Sequence, residues 1–390
     1  MRGVINAANE VDLYNQLQSA GMELVTCSPV SSESGMGGLS ILKPKVKTRD
    51  LIQFCMHLEQ LQSAGVPLLD ALSDIRDSAD NQTMKDIMTD VHRNVSDGAS
   101  LSEALANYPK VFTNLYISLI KAGEDTGDLE KSYSQLIKYL KWIDEMNSKI
   151  KKATRYPIIL LIAVFGVMIV MMGFVVPDIA GFIKNIGQEL PWYTTALIAT
   201  SDFFAEFWWT LVIAPIILFI IYKFLRKNSE GFAYQMDAIF IVLPIAGPII
   251  RKITIARYAQ TFAALFSSGI DVINCLKSAQ KTVSNLALYE ALETVNAQVQ
   301  IGAPLSQAFN ASGEFPTMVV RMVKIGEESG NLTPVLTQVS DFYTKDVNEA
   351  VEGLIAMVEP MLTSFLGLMI AWIAVAVFGP IYSSFENMDF

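Results

Sequence analysis

From Thr48 onward the apolar positions fall three and four apart, so that Leu51, Phe54, Cys55, Leu58 and Leu61 form one stripe along a helix. The same stripe returns 204 residues later as Ile255, Tyr258, Ala259, Phe262 and Leu265. Thr48 is the expected N-cap of the first copy, since a side-chain oxygen there can take an orphan backbone donor. Glycines mark where helices must stop: Gly65 matches Gly269, and the run from Gly98 to Leu105 matches the run from Gly302 to Phe309. Ser100 and Glu103 have capping-box spacing. Read between these stops, each copy predicts six helices, in the first near 48–64, 67–79, 82–97, 101–107, 112–122 and from 128 onward. Beyond residue 107 the offset drops to 203, which places a one-residue deletion in the second copy in a loop around Asn107 to Phe112.

The last helix of each copy leads through a proline, Pro157 or Pro360, into a long apolar run. Three runs, Ile158 to Val176, Phe207 to Leu225 and Met361 to Phe378, are long enough to cross a hydrocarbon core, which takes about 20 residues of helix. A proline removes a backbone donor and crowds the preceding turn, so both long helices are expected to kink or break where they enter lipid. Pro177 and Pro380 again correspond, past the outer ends of the first and third runs. The middle run has no counterpart and reads as the connector that returns the chain to its starting side.

Charge orients this layout. Lys149, Lys151, Lys152 and Arg155 crowd the entrance of the first run, and Lys223, Arg226, Lys227, Arg251, Lys252 and Arg257 lie at or beyond the end of the second. Basic flanks stay cytoplasmic. The segment between them carries Lys184 against Asp178, Glu189, Asp202 and Glu206, and the tail carries Glu386 and Asp389, so both are expected outside. The N-terminus is then cytoplasmic and the C-terminus outside. Trp192, Tyr193, Trp208 and Trp209 read as an aromatic cluster near the outer end of the second span.

Composition agrees with a part-membrane protein: 390 residues, 52% apolar and only 17% charged. A net charge of −10 argues against nucleic acid as a partner. Met1 to Gln18 has no apolar core, so no cleavable signal is expected. Residues 1–30 read as a small leading unit and 31–47 as a Ser/Gly-rich linker, whose Gly-Met-Gly-Gly lacks the strand and the Gly-Lys-Ser/Thr of a phosphate loop. Cys27, Cys55 and Cys275 are too few and too scattered for structural disulfides. His57 and His92 lack spaced partners, so neither metal nor cofactor is expected. None of the three runs carries a charged residue or histidine away from its ends, which disfavours an ion or proton path and hence a transport permease, the leading rival reading.

One repeated block gives the sharpest signal. Gly123, Glu124, Gly127 and Leu129 correspond to Gly326, Glu327, Gly330 and Leu332, with a candidate N-cap, Asp128 or Asn331, directly after the second glycine of each set. Two readings stand. Two glycines flanking a turn, with a glutamate bonding backbone donors, would make a tight helix-to-helix connection. Alternatively, Glu124 with Asp125, and Glu327 with Glu328, would be presented together as a partner-docking surface. Catalysis is not indicated, because no His or Cys recurs beside these acids.

The paired blocks, the paired helix ends at Gly65 and Gly269, Leu190-Pro191 with Thr194, and Leu243-Pro244 with Gly247 ahead of Arg257 together resemble one family. It is the inner-membrane platform proteins of type II secretion systems and type IV pili, the GspF and PilC family. The resemblance covers nearly the whole chain; one departure is Asp271 where the first copy has Pro67. It implies an all-α polytopic membrane protein with two repeated cytoplasmic six-helix bundles and three transmembrane helices. The segments are 1–30 and 31–47 as above, 48–156 first bundle, 157–177 first span, 178–206 periplasmic loop, 207–225 second span, 226–253 cytoplasmic linker, 254–359 second bundle, 360–380 third span and 381–390 periplasmic tail. It implies a non-enzymatic, oligomeric scaffold of the bacterial inner membrane, whose partners are a hexameric secretion or pilus ATPase, pilins or pseudopilins, and other inner-membrane assembly proteins. Pro157 and Pro360 would be the junctions that pass motion from bundle to membrane.

Overall fold

The duplicated stripes become duplicated helices. The computed structural model describes residues 44–185 and 191–386. The leading unit, the linker up to residue 43, Cys27, Glu189, Leu190 and Asp389 lie outside the described residues, as do the side chains of Lys184, Trp208 and Glu386. The first copy is α1 (Thr48–Ser63), α2 (Leu68–Ser78), α3 (Gln82–Ser96), α4 (Leu101–Ala106), α5 (Asn114–Thr126) and α6 (Leu129–Val170). A π-helical turn (Met171–Val175) follows, then α7 (Val176–Asn185), α8 (Trp192–Asn228) and α9 (Glu230–Val242). The second copy is α10 (Ala246–Ser267), α11 (Val272–Gln280), α12 (Leu286–Gln300), α13 (Leu305–Ser312), α14 (Thr317–Glu328) and α15 (Leu332–Glu386). No strand occurs among the described residues.

Leu51, Phe54, Cys55 and Leu58 are buried on α1, and Ile255, Tyr258, Ala259, Phe262 and Leu265 on α10. The copies even keep one ring contact: Phe54 lies 6.1 Å from Phe112, and Tyr258 lies 6.0 Å from Phe315 at the corresponding place. Removing such a ring from water contributes roughly 1.5–3 kcal/mol. Pro67 and Asp271 serve the same end by different means. Pro67 supplies the extended residue before α2, whereas the Asp271 carboxylate accepts from the Asn274 N–H at 3.0 Å before α11.

Several expectations are corrected. Thr48 is the first helical residue and Lys47 the extended cap; the Lys47 N–H donates to Asp50 at 2.9 Å, so the acid three residues on does the capping. Helix α5 runs to Thr126 instead of stopping at 122, so Gly123 and Glu124 are helical. Neither Pro157 nor Pro360 ends its helix: α6 passes through Pro157 over 42 residues and α15 through Pro360 over 55. One missing donor among so many continuous bonds does not terminate a helix. Helix also continues past Pro177 and Pro380, into α7 and to Glu386. The interruption in the first span is instead the π-helical turn, where the buried Ser201 hydroxyl of α8 donates to the Met172 carbonyl at 2.5 Å. The stretch read as a loop before the second span holds α7 and the first fifteen residues of α8, counting Trp192 to Glu206. Trp192 and Trp209 lie on that one helix about 25 Å apart along its axis, so the aromatic residues form no single cluster.

Helices α6 and α15, each with its apolar run, are long and apolar enough to cross a membrane, and α8 holds Phe207 to Leu225 within a single helix. Their surfaces fit lipid: Ile158, Ile159 and Ile162 are 53%, 59% and 67% exposed on α6, and Leu368 is 73% exposed on α15. The 105° corner between α9 and α10 does not make a further span, because α10 carries Arg251, Lys252 and Arg257 and buries Tyr258 and Phe262 in the helical core. That core is continuous. One set of touching buried side chains runs from Leu51 of the first copy to Tyr343 of the second. At the seam the Trp142 Nε1–H of α6 donates to Thr344 Oγ1 of α15 at 3.1 Å.

Candidate functional site

The Gly-Glu block recurs in both copies, and each of its residues has a distinct physical task. Gly127 follows α5 at φ 74° and Gly330 follows α14 at φ 68°, a left-handed turn that a Cβ would strain. In the second copy the turn is closed by the Asn331 N–H to Gly326 O at 2.8 Å and the Gly330 N–H to Glu327 O at 3.3 Å. In the first, Asp128 caps α6 by accepting from the Lys131 N–H at 3.0 Å. Gly123 and Gly326 are not turn residues. They are buried on the helix face that meets the next helix, where an added Cβ would come within 2.5 Å of Ser132 Oγ or 3.1 Å of Val335 Cγ2. Leu129 packs against the core as a partly buried residue, and Leu332 is 8% exposed.

The glutamates reach sideways to another helix. Glu124 accepts from the Ser102 N–H at 3.2 Å and from the Ser102 hydroxyl at 2.5 Å. Glu327 accepts from the Leu305 N–H at 2.6 Å, the Ser306 N–H at 3.1 Å and the Ser306 hydroxyl at 2.8 Å. These donors are the first free N–H groups of α4 and α13. A carboxylate there satisfies orphan donors and complements the positive end of the helix. The need differs between copies. Helix α4 also has Ser100 and Glu103 closing a capping box, whereas α13 begins after Pro304, which offers no side-chain cap. Glu327 therefore carries alone what three residues share in the first copy.

Glu124 and Asp125 consequently do not stand out as one acidic pair, because the first is turned onto α4 while the second is exposed. Glu327 and Glu328 part in the same way, Glu328 lying exposed 3.7 Å from Lys324. Ser102 and Ser306 were not picked out in the sequence as the partners of these acids. The signal was present, since the Gly98 and Gly302 runs recur along with the Gly-Glu blocks, but nothing linear says that two repeated blocks touch.

The two prolines and one buried hydroxyl lie in or near the apolar runs. Pro157 is buried and Pro360 exposed, so the two junctions sit in different surroundings. Near the start of α8, the buried Thr194 hydroxyl donates to Ala376 O of α15 at 2.8 Å, and Met172, Val176, Leu197, Met369, Ile373 and Ala376 pack together there. The connector helix thus ties the spans of the two copies to each other.

The description "Type II secretion system (T2SS), protein F" matches residues 54–177 and again residues 258–380, the same two stretches that carry the repeat. Among curated proteins the chain is 32% identical over 347 residues to "Type IV pilus assembly protein PilC" of Pseudomonas aeruginosa, covering 88% of this chain and 93% of that one. It is 33% identical over 335 residues to the PilC of Thermus thermophilus, covering 86% and 82%. It is 28% identical over 382 residues to "Type II secretion system protein F" of Xanthomonas campestris, covering 97% and 94%.

Proposed function

The chain belongs to the type II secretion system protein F family, and we propose that it serves as the inner-membrane platform through which a hexameric cytoplasmic ATPase drives assembly of a type IV pilus or type II secretion pseudopilus. The observation that carries this reading is the continuity of α6 and α15. Each begins in the helical core, buries its first turns there, and runs unbroken into an apolar stretch with lipid-facing side chains. A rotation or tilt imposed on the core is then passed to the spans along continuous helix, softened but not broken at Pro157 and Pro360. The scaffold reading is supported further by what the Gly-Glu block does, since its glutamates hold helices together instead of facing a substrate.

In this reading the helical core faces the cytoplasm, the C-terminus is periplasmic, and the spans meet pilins or pseudopilins beside other copies of the chain and further inner-membrane assembly proteins. The two copies share one core, so a separated half is not a fair probe of binding. The test is therefore made on the full chain in its cell, with a photo-crosslinking amino acid placed at the exposed Asp125 or Glu328. Crosslinks to the assembly ATPase are expected from at least one position. Failure of both, together with an intact filament, would remove the motor-coupling part of the proposal.

A further inference from the structure

Helix α9 starts two residues after α8 ends, and the chain then turns through 105° into α10. From Ala238 to Ile250 no residue is charged. At the corner Val242, Leu243 and Ile245 are 82%, 41% and 60% exposed, next to the exposed Ile239 and Phe240. An uncovered apolar corner of this kind is costly in water. Its position says what covers it. The Tyr222 ring of α8 meets Phe240 of α9 at 6.5 Å, which sets the end of α9 level with the last turns of a helix that crosses the bilayer. Lys223, Arg226 and Lys227 lie on α8 at that level, and Arg251 and Lys252 follow the corner directly.

Behind the corner is a cleft of about 300 Å³ whose lining includes Tyr222, Arg226, Asp237, Phe240, Thr254 and Arg257. Asp237 is 3% exposed, lies 3.1 Å from Arg226 and accepts from the Leu286 N–H at 3.0 Å, so its negative charge is spoken for. Arg257 adds a second guanidinium, and its Nε is buried without a hydrogen-bond partner. Two arginines against one carboxylate leave the cleft with an excess positive charge, at the foot of an apolar ridge. A guanidinium fork is suited to a phosphate diester.

We propose that the α9–α10 corner lies in the leaflet where α8 leaves the membrane, and that the cleft binds the phosphate of an anionic phospholipid through Arg257, with the acyl chains along Phe240 and Val242. An apolar ridge beside clustered cations is the pattern of interfacial anchors and of headgroup pockets between spans. The inference rests on α8 crossing the bilayer and is independent of whether an ATPase engages the chain. Neither arginine nor Asp237 has a counterpart in the first copy, where Gln53 corresponds to Arg257. The site belongs to the connector and the second copy alone.

The test is native mass spectrometry of the detergent-purified full chain, titrated with dioleoyl phosphatidylglycerol or dioleoyl phosphatidylcholine. One phosphatidylglycerol is expected to bind with at least tenfold preference, and Arg257→Gln is expected to weaken it about tenfold while Arg155→Gln, at the mouth of the first span, leaves it unchanged. The double variant Val242→Ser and Ile245→Ser, at exposed positions that the fold does not need, is expected to weaken binding several-fold, and it carries the test if Arg257→Gln fails to fold. Equal binding of both lipids, equal loss in Arg155→Gln and Arg257→Gln, or displacement of the lipid by excess glycerol phosphate would each overturn the proposal, the last by showing a site for free anions.

Discussion

Glu327 supplies the side-chain acceptors at the start of α13, where Pro304 offers no side-chain cap. Replacing Glu327 by Ala leaves two backbone N–H groups and a hydroxyl without their acceptor, which costs about 1–3 kcal/mol. Glu124→Ala is expected to cost less, since Ser100 and Glu103 still close the start of α4. Thermal unfolding of the purified full chain should therefore rank Glu327→Ala below Glu124→Ala and both below the parent. Lost partner binding with unchanged unfolding would instead assign these acids to docking. A second residue-scale prediction concerns Cys55, whose thiol is pushed up to about 12 from 9.0 by burial. Above pH 9 the unfolded chain gives up this proton while the folded chain keeps it, so this contribution to stability is intact below pH 9 and falls as pH rises toward about 12. At pH 8 the native thiol should resist iodoacetamide and react after denaturation, as peptide mass spectrometry would read directly.

At the scale of elements the question is what the prolines do, given that neither breaks its helix. Each leaves one carbonyl of the preceding turn without its usual donor, which softens the helix locally while the rod stays continuous. Alanine at both Pro157 and Pro360 restores the two bonds and stiffens α6 and α15. We expect the double variant to insert normally, as judged by membrane fractionation, and to reduce pilus or secretion output severalfold. Normal output would show that transmission needs no compliance at these points.

At the scale of the whole molecule the two copies act as one body. Thr344→Val keeps the side-chain shape and removes the hydroxyl that accepts from Trp142 across the seam, for an expected loss of about 0.5–1.5 kcal/mol. Because the core is shared, unfolding should remain a single transition by differential scanning calorimetry, in the parent and in the variant alike. Two resolved transitions would mean that the copies fold independently and can move against each other.

Periodicity, stops and duplication were legible in the chain because they are local. Helical spacing at Leu51 to Leu58, the glycine ends at Gly65 and Gly98, and the six-helix count in each copy all follow from forces acting within a few residues. So does the presence of lipid-crossing apolar runs. What the linear order could not say was which repeated block faces which. The Glu124 contact with Ser102 and the Glu327 contact with Ser306 bridge some twenty residues of chain through space, and a carboxylate reads the same whether it turns inward or outward. The shared core, the Ser201 contact at the π-helical turn and the Arg226, Asp237 and Arg257 cleft were likewise decided only by folding, because each is made by side chains from helices that no local rule brings together.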